Sequence, residues 1–394
     1  MRWVVTLFLA MSWATSSPFQ QSLQLDDVQV RHEFGQWIEF QAQANSGLDF
    51  TQMHLILSPG SGGNEVVLPA EIEDGNRVIA VYDLSTQDWI RPFLEVTYRY
   101  RGLTASGDTL ESEPLTFSYT DNRFTWQSLS PDPTLAIYWY EGDLEYGQEI
   151  ANAAQFGRGR FRELTTFGAD QSVRLYVYPS TQALQAALSF GGALQIAGHA
   201  AGPDGLAWAA VPPGPGQTQT INEAIPHELA HVLLYQSLGE SYTRLPAWLN
   251  EGIASAVELG GNPNFPRYLE EAYSRDSLLS LSTLCNPFPT EQAAFTLAYA
   301  ESDSFVRYLL EEYGPTGLAT ITQSYAYGAS CEDGPQPFTG RALSQLEADW
   351  LRVRFGASDI SISLGAVQGW LLIALLIGIG PLVAIVQRIR QGTG

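Results

Sequence analysis

The stretch INEAIPHELAHVLLYQ, residues 221–236, carries two of the five histidines of the chain, four residues apart. In a helix, residues i and i+4 lie one turn apart on the same face, so His227 and His231 would direct both imidazoles to one point. Glu228 directly follows the first histidine and would project beside them. This H-E-x-x-H pattern is typical of two metal ligands and a general base. The alternative is an apolar helix face that only packs, because leucine and valine side chains surround the motif.

A third ligand is needed, because a catalytic zinc site has three protein ligands and one open position. No histidine follows His231, which favours a carboxylate. The stretch LPAWLNEGIASAVELGG, residues 245–261, predicts a helix over 247–259 with Pro246 at its start and two glycines after its end. Glu251 lies among apolar residues of this helix, where a carboxylate is costly unless it is paired or bound to a metal. Glu251 is therefore the predicted third ligand, and a solvent-facing glutamate is the alternative.

HELAH, nineteen residues and then the glutamate of LPAWLNEG together resemble the gluzincin zinc metallopeptidases, the thermolysin-like and M1 aminopeptidase-like enzymes called peptidase MA-like. The sequence W-L-N-E-G around Glu251 resembles the aminopeptidase-like enzymes more than the thermolysin-like ones. The resemblance implies an α+β zincin-type peptidase domain over residues 134–356. It also implies that Zn2+ is bound by His227, His231 and Glu251, with Glu228 as the general base.

A later helix extends the resemblance. AAFTLAYAESDSFVRYLLEEYG, residues 293–314, resembles the helix that follows the third ligand in membrane-anchored bacterial members. Aminopeptidase-type members use a tyrosine there to bind the oxyanion, which makes Tyr299 the candidate. Two departures stand out: Ser255 occupies the position of an aspartate that orients a ligand histidine in thermolysin-like enzymes, and no G-x-M-E-N exopeptidase signature is present. The other tyrosines that could bind the oxyanion are Tyr308, Tyr313, Tyr325 and Tyr327.

Composition narrows the class of protein. The chain has 20 Lys+Arg against 42 Asp+Glu, a formal net charge of −22, and all its basic residues are arginine. Such acidity argues against a nucleic-acid partner, which needs a basic face. The length of 394 residues predicts two or three domains.

The sequence predicts a membrane-targeting segment at the N-terminal end and a membrane-spanning segment near the C-terminal end. Residues 1–17 match a secretory signal peptide, with an uncleaved anchor as the alternative. Residues 361–386 predict one transmembrane helix, because the apolar run 364–386 is long enough to span a bilayer. Two arginines in the tail 387–394 predict that the tail is cytoplasmic. These segments predict a single-pass type I membrane protein with an extracytoplasmic catalytic domain.

Short runs in which apolar and polar residues alternate are separated by clusters of turn-forming residues. This pattern predicts an antiparallel β-sandwich over residues 21–120, of immunoglobulin or fibronectin III type. Pro131 and Pro133 then predict a short rigid link. Strands alternating with helices follow, and they predict an α+β layer ahead of the metal-binding helices. Within it, residues 206–211 fit an edge strand that would pair with extended substrate; the alternative is a plain strand before a loop.

The two cysteines, Cys285 and Cys331, both lie in turn-rich stretches. Outside the cytoplasm such a pair would plausibly form a disulfide, and two free thiols are the alternative. Neither cysteine belongs to a C-x-x-C motif, which disfavours a redox or zinc-binding role.

These observations favour a membrane-anchored, outward-facing zinc metallopeptidase acting on a peptide or protein substrate. The alternative is a catalytically inactive peptidase-fold surface module for adhesion or sensing. An intramembrane metalloprotease is excluded, because no run of about 20 apolar residues surrounds the H-E-x-x-H motif.

Overall fold

The structure, a computed structural model, describes residues 22–44, 48–61, 63–188 and 198–356. The predicted signal peptide 1–17, transmembrane helix 361–386 and tail 387–394 lie outside these residues. Among the described residues, no helix is both long and apolar enough to cross a membrane. The described chain forms two compact units, one from residues within 1–161 and 168–239, the other from residues within 162–167 and 240–394.

The first unit begins with an antiparallel β domain of eight strands. The strand order is β1-β2-β5-β4-β3-β6-β7, and β8 pairs with β6. The strands are β1 (Leu25–Glu33), β2 (Trp37–Ala44), β3 (Phe50–Pro59), β4 (Val66–Glu73), β5 (Arg77–Asp83), β6 (Glu95–Thr104), β7 (Thr109–Glu111) and β8 (Leu115–Ser118).

The β domain folds over on itself through strand β4. Residues 66–70 of β4 pair with β3, whereas residues 71–73 pair with β5. Alternate side chains of the strands are buried, as in β6, so each strand has one face in the core. Phe40 of β2 contacts Tyr98 of β6, with ring centroids 4.9 Å apart, although these strands are not neighbours in the sheet. The predicted antiparallel β architecture is therefore confirmed, while its immunoglobulin or fibronectin III type stays a prediction.

A five-stranded mixed sheet follows, in the order β12-β13-β11-β10-β9. Strands β10, β11 and β13 run parallel, and the two outer strands are antiparallel to their neighbours. Phe93 of the β domain stacks on Tyr176 of β11 at 3.6 Å, so both parts of the unit share one hydrophobic core. The elements are β9 (Gln127–Asp132), β10 (Leu135–Trp139), α1 (Leu144–Thr165), β11 (Val173–Tyr178), α2 (Thr181–Leu188), β12 (Gly198–Ala201), β13 (Leu206–Ala210) and α3 (Gln217–Leu238).

The structure overturns one sequence-based expectation about this sheet and decides between two alternatives for another. Pro131 lies inside β9 instead of in a rigid link, because an edge strand tolerates a residue that cannot donate to the ladder. Strand β13 is internal instead of at the edge, because β12 pairs with it through His199 and Trp208. The edge strand is β12, which is only four residues long.

The second unit is helical. Trp248 packs edge-on against Phe305 at 5.0 Å, and both side chains are fully buried. The predicted helix over 293–314 is present and continues to Ala326, with a kink at Gly314, whose φ of 68° is not helical. Cys285 and Cys331 form a disulfide. The helices are α4 (Ala247–Val257), α5 (Phe265–Ser274), α6 (Gln292–Ala326), α7 (Gln336–Thr339) and α8 (Leu343–Phe355).

Candidate metal centre

Helix α3 supplies both histidines of the motif. Their ring centroids lie 4.9 Å apart, as expected for residues one helical turn apart. His231 is 9% exposed and Glu228 is 8% exposed, so the motif lies on the packed side of the helix. Pro226 precedes the motif inside the helix and packs against α1, where a Cβ on Gly157 would approach Pro226 Cα to 2.9 Å. The absence of a side chain at Gly157 thus lets α1 and α3 come close beside the motif.

Helix α4 supplies Glu251. It begins after Pro246 and ends at Val257, two residues earlier than predicted, where Glu258 leaves the helical conformation. A Cβ on Gly252 would lie 2.5 Å from the carbonyl oxygen of Ser302 on α6. Close backbone contact with α6 therefore requires glycine immediately after Glu251, and this contact fixes the position of α4 in its unit.

His227, His231 and Glu251 each offer one ligand atom, and these atoms all lie within 4.8 Å of one another. This spacing is close to that of three atoms that each bind one ion at about 2.0–2.2 Å. No other group of three histidine, cysteine or acidic side chains with this geometry occurs in the described part of the chain. The sequence-predicted triad is therefore brought together.

The carboxyl of Glu228 lies against the edge strand β12. A Cβ added to Gly198 would overlap this carboxyl. Sequence reasoning missed Gly198, although the run of small residues in IAGHAAG was a signal that a backbone segment is approached closely there.

Two further residues, His199 and Ser255, lie outside the predicted ligand triad. His199 stacks on Trp208 with ring centroids 5.8 Å apart. Burial, and then the nearby Arg91 and His231, lower the pKa of His199 to about 4, so its ring is neutral at pH 7. Ser255, at the position of the orienting aspartate in thermolysin-like enzymes, is buried, and its hydroxyl makes no hydrogen bond to the described residues. Ser255 thus does not take over the orienting role through its hydroxyl.

Tyr299 lies on α6, half-buried, with its ring 5.0 Å from that of Phe295. Of the other tyrosines, Tyr325 donates its hydroxyl hydrogen to the carbonyl of Cys331 at 2.8 Å. Tyr327 is 84% exposed, with its side chain in solvent. These two are poor candidates for an oxyanion donor, so Tyr299 remains the prediction. Tyr308 and Tyr313 contact the rings of Phe305 and Phe338, respectively.

The family model of the peptidase MA superfamily matches residues 153–354, which is just over half of the chain. The chain belongs to the peptidase MA superfamily. The matched region contains both helices that carry the predicted ligands, and it supports a metallopeptidase. Among proteins of curated function, none matches the chain.

Solved structures show distant similarities to this peptidase MA chain. An aminopeptidase N family protein from Idiomarina loihiensis is 10% identical, with a TM-score of 0.38; the match covers 81% of this chain and 74% of that one. A variant of the M1 zinc metallopeptidase from Deinococcus radiodurans is 13% identical, with a TM-score of 0.30; the match covers 82% of this chain and 89% of that one.

Proposed function

We propose that the chain is a zinc-dependent metallopeptidase that hydrolyses peptide bonds. The observation that carries this proposal is the convergence of His227, His231 and Glu251 within 4.8 Å. Two imidazoles and one carboxylate are a ligand set that zinc uses in catalytic sites, where a fourth position is left for water or substrate. The donor set therefore fits zinc, and its spacing is close to that of a zinc site.

Zinc held there would lower the pKa of a coordinated water to about 7 and polarise the substrate carbonyl. Glu228 lies next to His227 in sequence and is largely buried. Its carboxylate would accept a proton from the attacking water. It would then deliver that proton to the leaving amine. Tyr299 would donate a hydrogen bond to the oxyanion, a contribution made only in the transition state.

The edge strand β12 is the place where an extended peptide would pair with the protein backbone. Its outer side has no strand neighbour in the described sheet, and its first residue, Gly198, lies against Glu228. Pairing there would place a peptide bond beside the general base. This role replaces the one that the sequence suggested for residues 206–211.

In this proposal the signal peptide directs the chain across the membrane, and the helix over 361–386 anchors it with the peptidase facing outward. The test is fractionation of cells that express the full chain or a chain that stops before Ser361. The truncated chain should appear in the soluble extracytoplasmic fraction. Its retention in the membrane would contradict the type I topology.

The activity is tested with the purified full chain. It should carry about one equivalent of zinc and cleave a mixed peptide library, because the site offers three ligands for one ion. A chelator should abolish cleavage, and added Zn2+ should restore it. A metal-free chain that cleaves no peptide after zinc is added would overturn the proposal.

A further inference from the structure

Three half-buried aromatic side chains meet at the start of helix α6. The rings of Phe288 and Tyr299 lie 5.2 Å apart and almost perpendicular, at 87°. Phe295 completes the cluster, 5.0 Å from Tyr299 and 6.4 Å from Phe288. Such edge-to-face contacts fix the orientation of each ring relative to the others. All three side chains keep part of their surface accessible.

The backbone that carries Phe288 is rigid. Phe288 stands between Pro287 and Pro289, each of which fixes its own φ and restricts the preceding residue to extended conformations. Three residues earlier, Cys285 is bonded to Cys331. Three residues later, Glu291 caps α6 by accepting hydrogen bonds from the amides of its first turn. The ring is thus held from both sides before any substrate binds.

We propose that Phe288 and Phe295 form the wall of a subsite that takes a large apolar side chain, preferentially aromatic, next to the scissile bond. This inference rests on the proposed function, in which the hydroxyl of Tyr299 binds the carbonyl oxygen of that bond. Both phenylalanine rings lie within 5.2 Å of the Tyr299 ring. In this proposal, a side chain beside that carbonyl would lie near one or both rings.

The chemistry of the wall defines the substrate class. The partly accessible ring edges and faces can continue the edge-to-face cluster with one more ring from the substrate. A glycine or a short polar side chain at that position would leave the wall in contact with water. The peptidase should therefore favour peptides with phenylalanine, tyrosine or leucine there over glycine or serine.

The test uses two peptides that are identical except for phenylalanine or glycine next to the bond that the wild-type chain cleaves. Wild type should prefer the phenylalanine peptide by at least about tenfold in kcat/KM, the scale on which apolar pockets discriminate. Phe288→Ala and Phe295→Ala should each lose most of this preference, measured as the ratio of kcat/KM for the phenylalanine peptide to kcat/KM for the glycine peptide. Phe288→Leu, which keeps an apolar side chain, should retain part of it. Phe338→Ala is the matched control, because Phe338 is 43% exposed and contacts Tyr313 instead.

Two further measurements separate this inference from the proposed function. Affinity of the Glu228→Gln chain for the same peptides, measured by calorimetry, should show the same preference without any turnover. Tyr299→Phe keeps the ring cluster, so it should lower kcat and leave the preference unchanged. A preference that survives Phe288→Ala and Phe295→Ala overturns the subsite even if the chain is a peptidase. A chain that cleaves neither peptide but still binds the phenylalanine peptide more tightly overturns only the catalytic proposal.

Discussion

Gly198 on the edge strand β12 lies so close to Glu228 that a Cβ on it would come within 2.5 Å of the Cγ of that glutamate. The backbone of the edge strand and the proposed general base therefore occupy adjacent positions that allow no side chain between them. Because Gly198 pairs with Ala209 of β13, the position of the edge strand is set by the sheet. The sheet thus determines the space left for the carboxyl of Glu228.

Gly198→Ala should displace the Glu228 carboxyl and lower kcat, by up to the roughly 10²–10⁴-fold that general-base catalysis contributes. Zinc content should stay near that of wild type, because the substitution touches no metal ligand. Gly159→Ala is the control, since Gly159 lies in α1 with open space around its missing Cβ. Wild-type turnover in the Gly198→Ala chain would show that Glu228 is not the base or that the strand yields easily.

The ligands and the base should respond differently to substitution. His227→Ala and Glu251→Ala each remove a ligand, so zinc occupancy measured by elemental analysis should fall, and the melting temperature with it. Glu228→Gln keeps the size of the side chain and all three ligands, so zinc should remain while turnover drops by about 10²–10⁴-fold. Loss of zinc in the Glu228→Gln chain would instead give Glu228 a structural role.

The candidate metal centre could be predicted from the sequence because each of its parts has a local signal. Two histidines four residues apart share a helix face whatever the rest of the fold does. Glu251 was identifiable because a carboxylate inside an apolar helix needs a partner, and the helix was bounded by Pro246 and the glycine pair. The structure brings these three side chains together as expected.

The strand order could not be predicted in the same way. All five residues of β13, LAWAA, are buried. A short apolar run of this kind does not show from the sequence whether the strand is at the edge of a sheet or inside it. Its partner β12, GHAA, is too short and has too few residues of high β-propensity to be predicted as a strand. Pro131 suggested a link because proline is rare in central strands, but it lies in an outer strand, where it is tolerated. The place of β13 inside the sheet and that of Pro131 in an outer strand both depend on which strands pair. Local composition does not determine that pairing.

Gly252→Ala should destabilise the second unit, because the new methyl group would meet the Ser302 carbonyl oxygen and a methyl group of Val306, both at 2.5 Å. Overpacking of this kind costs about 1–3 kcal/mol. Urea unfolding should show a lower midpoint than wild type, and zinc affinity should weaken because Glu251 is the adjacent residue. Gly159→Ala serves as the control here too, since a Cβ added at Gly159 would have no neighbouring atom within 4 Å. An unchanged midpoint and zinc affinity would show that α4 and α6 separate at little cost.

The last prediction concerns Glu301, a fully buried carboxyl on α6. It accepts a hydrogen bond from the amide of Leu279 at 2.9 Å, and the acidic Glu347 of α8 lies nearby. Burial raises the pKa of Glu301 to about 8 from an ordinary value of 4.5, while the Leu279 amide opposes the rise and Glu347 adds to it. The folded chain therefore binds one proton more than the unfolded chain between these two pH values.

Stability from this group is accordingly present at low pH and is lost as pH rises from about 4.5 to about 8. The free energy of unfolding should fall by about 1.4 kcal/mol for each pH unit in that interval and level off above it. Glu301→Gln can still accept the Leu279 amide hydrogen but does not titrate, so its unfolding free energy should depend less on pH and exceed that of wild type at pH 8.5. Urea unfolding of both chains at pH 5.5, 7 and 8.5 measures this difference. Glu312→Gln, an exposed glutamate on the same helix, is the control and should keep the wild-type slope. Equal slopes for wild type and Glu301→Gln would show that Glu301 is ionised in the folded chain at neutral pH.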